Sequence, residues 1–203
     1  MTSKTFLFVG IVVTLVSLTA LSTASAEGST DSWKVDESRS TLTFTSDAPA
    51  EKIIGTSEEV SGEVQWNGED PQATTGKIYF PVSSMRTGNR LRDRHLQGSD
   101  WLNAGENPNV TFEVKGLRDV KKERDGERIN IEATAYGTVT LNGVTNEETA
   151  QVTIAILPDQ TVARIQPKLE FALADYEVKG TRGTVGREVG TSIEVEALIY
   201  ANW

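Results

Sequence analysis

Gly137-Thr138-Val139-Thr140-Leu141-Asn142-Gly143-Val144-Thr145 sets an Asn-Gly pair between two runs rich in threonine and valine. A two-residue Asn-Gly link supplies the consecutive positive φ angles of a tight hairpin, so the flanking runs read as neighbouring antiparallel strands. Outward from that hairpin, apolar and polar residues alternate with period two over Thr41 to Thr45, Lys77 to Val82 and Asn109 to Lys115, as half-buried strands require. Leu42 and Phe44 share one face, Ile78, Phe80 and Val82 another, and Val110, Phe112 and Val114 a third. Further strands read at Val60 to Trp66, Ile129 to Leu141, Gln151 to Leu157, Val162 to Leu173 and Ser192 to Ile199, about eight in all. Asn67-Gly68 and Asp125-Gly126 mark other turns, and the charge run Lys121 to Arg128 reads as a solvated loop or hairpin end.

Hairpin-linked neighbours imply antiparallel pairing, and closing such a sheet into a barrel removes its adhesive edges, although a sandwich fits the same pattern. The expected fold is therefore all-β, an antiparallel eight-stranded barrel with one short helical insertion. That insertion is Asn89 to Gln97, where helix formers follow an Asn placed to cap the first turn. Leu91 and His95 lie four apart on one helical face with Leu96 beside them, and Trp101-Leu102 follows as a pair that packs downward.

The chain has 203 residues, 37% hydrophobic and 24% charged, which bounds it to one globular domain or at most two small ones and excludes a disordered or coiled-coil chain. A net charge of -9 is a poor balance for gripping polyphosphate backbones, so nucleic acid is not an expected partner. With no cysteine and a single histidine, thiolate metal sites, disulfides and cysteine nucleophiles are excluded and histidine chemistry is narrowed to His95. Lys4, an uncharged apolar run from Phe6 to Leu21 and the small residues Ala24-Ser25-Ala26 read as a secretory signal peptide cleaved after Ala26. Residues 27–203 would then form the domain, in the periplasm or outside the cell. No second long apolar stretch follows, so no transmembrane span is expected after processing.

The run Ser84-Met85-Arg86-Thr87-Gly88-Asn89, then Arg92-Asp93-Arg94-His95-Leu96, Asp100-Trp101-Leu102-Asn103, Asn107-Pro108 and Thr111-Phe112 resembles the central signature of the YceI-like family. The likeness continues through the Gly137 to Thr145 hairpin and covers essentially Trp33 to Tyr200. It implies an exported bacterial lipid-binding protein with a lipocalin-like barrel, whose apolar tunnel holds an isoprenoid quinone or a polyprenyl phosphate. It also implies a homodimer, a membrane di-haem cytochrome as partner, and no cofactor beyond the bound lipid. Asn142 stands where relatives often have His, Arg86 where an acidic residue is frequent, and Glu177 where Gly is common.

Candidate tunnel residues are Phe44, Ile78, Phe80, Leu91, Phe112, Val114, Ile131, Ala133, Leu141, Ile154, Leu169, Phe171, Ile193 and Val195, each of which would equally serve as ordinary core. Small inward residues such as Ala133 and Ala135 would leave volume for a ligand. Arg90, Arg92, Arg94 and His95 are candidate head-group contacts, since guanidinium forks suit phosphate oxygens; the alternative is a solvated helix face with Arg92 or Asp93 tying the helix to the barrel. Three functional classes stay open: a non-enzymatic carrier, an enzyme on an isoprenoid lipid using His95, Tyr136 or Tyr176, and a ligand-free stress or surface protein. The first is the expectation, with no metal and no catalytic residue. Glu194 and Glu196 alternate with Ile193, Val195 and Ala197 and so face solvent rather than form an acid/base pair.

Overall fold

The computed structural model describes residues 30–48, 51–182 and 189–203, so the signal peptide expected over Met1 to Ala26 lies outside the described residues. Its elements run β1 (Thr30–Val35), β2 (Thr41–Asp47), β3 (Lys52–Ser57), β4 (Ser61–Asn67), β5 (Thr75–Pro81), α1 (Arg90–Gln97), β6 (Asn109–Asp125), β7 (Arg128–Leu141), β8 (Val144–Leu157), β9 (Val162–Ala172) and β10 (Ser192–Asn202). Every pairing between strands is antiparallel. The order β1-β4-β5-β6-β7-β8-β9-β10 closes on itself where Val35 meets Ala201, giving an eight-stranded barrel with β2 and β3 as two extra strands. Closure rules out the sandwich.

The extra strands continue two of the eight. Along one edge of β10, Ala201 pairs with Val35 of β1 and Leu198 with Thr41 of β2, with a single 3-10 turn at Glu37–Arg39 between them. Buried Ser40 stitches this bend, donating to the Asp36 carbonyl (2.7 Å) and accepting from the Tyr200 N–H (3.0 Å). β3 and β4 follow the same bent line on the far side of β2 and β1. Backbone bonds between Thr56 and Arg86 tie β3 to the chain beyond β5.

The Asn142-Gly143 link is the tight hairpin that its residues require, with φ angles of 51° and 77° joining β7 to β8. The Asn142 amide also donates to the Tyr176 carbonyl (3.1 Å). Glu177 sits nearby in the left-handed region at φ 54°, which glycine enters without the Cβ penalty. Three details differ from the sequence reading. The sequence pattern does not mark β1 and β3, because polar Thr30-Asp31-Ser32 and the glycine in Lys52-Ile53-Ile54-Gly55 weaken the alternation. The charge run from Lys121 is mostly strand: β6 continues to Asp125 before the turn at Gly126, because long cross-strand pairing with β7 holds it. β8 likewise starts at Val144, not Gln151.

The two ends of the barrel differ. α1 connects β5 to β6 and covers one end. Trp33, Trp66 and Trp203 stack in the other, with ring centroids 4.9 Å and 5.2 Å apart. Ile131, Ala133, Val152, Ile154 and Ala163 are buried with them in one continuous core.

Candidate functional site

α1 starts at its Asn89 cap, whose Oδ1 accepts from the N–H groups of Leu91 (3.0 Å) and Arg92 (3.2 Å), as the sequence predicts. Helical periodicity then splits its residues into two stripes. Leu91, Arg92, His95 and Leu96 face the barrel mouth, while Arg90, Asp93, Arg94 and Gln97 face a shallow hollow on the outer surface.

Under the inner stripe lies an apolar cavity of about 390 Å³. This falls in the roughly 300–1,000 Å³ range of small-molecule pockets. Phe44, Ile78, Phe80, Leu91, Phe112, Leu141, Leu169, Phe171, Ile193 and Val195 line it, joined by Trp101 and Leu102 from the loop after α1. Val114, Ile131, Ala133 and Ile154 do not. The last three point inward but sit in the Trp-stacked half, where side chains fill the barrel, and Val114 lies about a third of the way along β6 opposite Gly76 and Gly137. The space is thus a cavity in the α1 half rather than a tunnel along the whole barrel. Ala135, expected to leave volume, is buried in the filled half.

Sequence reasoning missed Leu42, Val60, Met85, Val110, Val139, Ala197 and Ile199 as liners, although their inward position follows from the alternation already noted for several of these strands. It also missed Glu51, for which no local signal exists. Phe44 fits because Gly55, its cross-strand partner, has no side chain: a Cβ there would lie 2.0 Å from the Phe44 ring.

Several polar groups at the mouth satisfy one another. Arg92 pairs with the Glu51 carboxylate and donates from Nε to Thr87 Oγ1 (3.1 Å). Asp93 Oδ1 accepts from both the Thr87 N–H (2.8 Å) and its hydroxyl (2.6 Å), so Thr87 fastens the helix from two sides. Of the four candidate head-group residues, Arg92 and His95 line the cavity. Arg90 and Arg94 turn away from it, because positions one turn apart on the opposite stripe cannot reach the mouth.

The candidate acid/base tyrosines lie elsewhere. Tyr136 rests on the outer face across Gly116, with Arg118 5.9 Å from its ring centroid. Tyr176 is buried against Phe171 and donates its hydroxyl to Glu148 Oε1 (3.0 Å). Burial, then the Glu148 carboxylate, pushes its phenol well above the ordinary tyrosine range. Neither lines the cavity. Glu194 and Glu196 share Lys168 on the outer surface at 2.8 Å each, and those hydrogen bonds hold the ammonium above its usual range. Among the described residues, no group of three or more His, Asp or Glu side chains is placed to hold a metal ion.

The YceI-like domain family matches residues 33–199. The protein YceI of Escherichia coli O157:H7 is 26% identical over 150 residues, which covers 72% of this chain and 74% of that protein. A UPF0312 protein of Pseudomonas aeruginosa (strain LESB58) is 27% identical over the same shares. Among solved structures, BcnA of Burkholderia cenocepacia superposes with a TM-score of 0.68 at 18% identity, over 83% of this chain and 99% of that one. A polyisoprenoid binding domain from Saccharophagus degradans, implicated in plant cell wall breakdown, gives 0.66 at 17% identity over 84% and 97%.

Proposed function

This chain belongs to the YceI-like family, and from that premise we propose that it is an exported, non-enzymatic protein that holds an isoprenoid lipid with an uncharged, quinone-type head in the cavity under α1, for sequestration or transport. The observation that carries this reading is the apolar cavity of about 390 Å³ in a barrel whose other half is filled. A barrel of about eight strands is at the size where side chains either close the interior or leave room for one ligand. Here one half does each. Burial of each methylene-sized group adds about 0.8 kcal/mol, so an inserted prenyl chain binds firmly without polar contacts. The polyisoprenoid binding domain from Saccharophagus degradans shares this fold and supports the ligand class.

The uncharged head follows from the mouth. Among the described residues, Arg92 is the one arginine or lysine that lines the cavity, and Glu51 neutralises it. A diphosphate entering there would face one cation already paired, in a chain of net charge -9. Two of the three groups an enzyme would use, Tyr136 and Tyr176, stand outside the cavity, which favours carriage over chemistry. Export rests on Phe6 to Leu21 and Ala24-Ser25-Ala26. The reading requires neither a dimer nor a cytochrome partner.

Native mass spectrometry of protein recovered from its host tests the carriage directly. A co-purifying polyprenyl or prenylquinone mass is the expected result. A clean apo mass, together with no uptake of either farnesol or farnesyl diphosphate in titration, overturns the reading; tighter binding of the diphosphate overturns the uncharged head alone.

A further inference from the structure

We propose that the α1 face beside the cavity mouth docks on an anionic bilayer surface. The outer stripe of the helix carries Arg90 and Arg94, four apart and both exposed, and Arg86 joins them around the shallow outer hollow. Like charges at this spacing repel on a helix, and among the described residues neither Arg90 nor Arg94 makes an ion pair. In a chain with 29 acidic and 20 basic residues, this cluster is a local reversal of sign.

Exposed apolar side chains accompany it. Leu91 is 53% exposed at the lip of the cavity, next to Arg90 in the helix. Ile54, 54% exposed, lies on the outer face of β3, two residues from the Thr56 bridge to Arg86. Cations flanking exposed leucine and isoleucine match a surface that offers anionic headgroups above acyl chains. The remaining surface, acidic overall, is repelled by the same membrane, so docking turns the cavity mouth toward the lipid. The docking holds whatever the cavity contains, and it gives an apolar ligand a path out of the bilayer that avoids water.

Co-sedimentation with phosphatidylcholine vesicles, with and without phosphatidylglycerol, tests this on protein recovered from its host. Tighter binding to the anionic vesicles is expected, and Arg90→Gln with Arg94→Gln should weaken it roughly twenty-fivefold, from about fivefold for each basic side chain near an anionic surface. Lys121→Gln with Arg124→Gln removes the same charge at the far tip of the β6–β7 hairpin and should change binding by no more than about twofold, because only charges near the surface act. Arg90→Lys with Arg94→Lys should keep the binding, with melting temperatures confirming that each variant is folded. Absence of any anionic preference overturns the proposal. So does an Arg90/Arg94 variant that binds like the unaltered chain, or a far-end pair that loses as much, since net charge alone would then account for the effect.

Discussion

Phe44 lies across Gly55 because the two are opposite each other on β2 and β3, and only a glycine lets the ring settle against the backbone. Gly55→Ala must push the ring into the cavity, which overpacks the interior. The expected cost is about 1–3 kcal/mol of stability, with a larger proportional loss of ligand affinity, read by denaturant unfolding and by ligand titration. Tyr176 makes a second residue-level statement. Its phenol is held above the ordinary tyrosine value of 10.0 in the folded protein, chiefly by burial and then by Glu148. A group whose folded-state pKa is raised contributes stability that is complete below its unfolded value and is lost as pH rises through the folded one. Melting temperatures should therefore fall as the pH climbs above about 10, and fall less steeply in Tyr176→Phe. Identical slopes in the two proteins would contradict the buried, protonated phenol.

At the scale of elements, α1 is an eight-residue helix with two roles set by its periodicity. Its inner stripe caps an apolar space, and its outer stripe carries Arg90 and Arg94, which make no ion pair among the described residues. The tie between the helix and the chain just before β3 is the Arg92–Glu51 pair, and the Thr87–Asp93 bonds hold the start of the helix. Because both members of that ion pair reach solvent, its contribution to stability is small. Its effect on selectivity is larger. Glu51→Gln frees the guanidinium to meet an anionic head, and is expected to raise affinity for farnesyl diphosphate roughly tenfold while leaving farnesol within about twofold, as for a newly available charge-assisted hydrogen bond. Equal gains for both ligands would show that Glu51 acts on access and not on charge.

For the whole molecule, the division of the barrel into a filled and a hollow half gives an optical test. Of the four tryptophans, Trp33, Trp66 and Trp203 stack in the filled half, and Trp101 alone lines the cavity, held across Gly180. A quinone entering the cavity should quench emission mainly from Trp101. The quench is expected to disappear in Trp101→Phe and to persist in Trp203→Phe, measured by fluorescence titration. Quenching that survives loss of Trp101 would place the ligand elsewhere.

Much of this architecture is local and therefore legible in the chain. Asn142-Gly143 dictates a tight turn through its φ angles, Asn89 dictates where α1 begins, and period-two alternation says which side chains of each strand face inward. These are properties of residues and their immediate neighbours. Alternation carries no information about depth along the barrel axis, so it could not separate Phe112, which borders empty space, from Ile131 and Ile154, which fill the far half. Nor could it join Arg92 to Glu51, 41 positions away. Whether an inward side chain meets a ring, another methyl group or nothing depends on strands brought opposite it by closure of the sheet, and that was decided only in three dimensions.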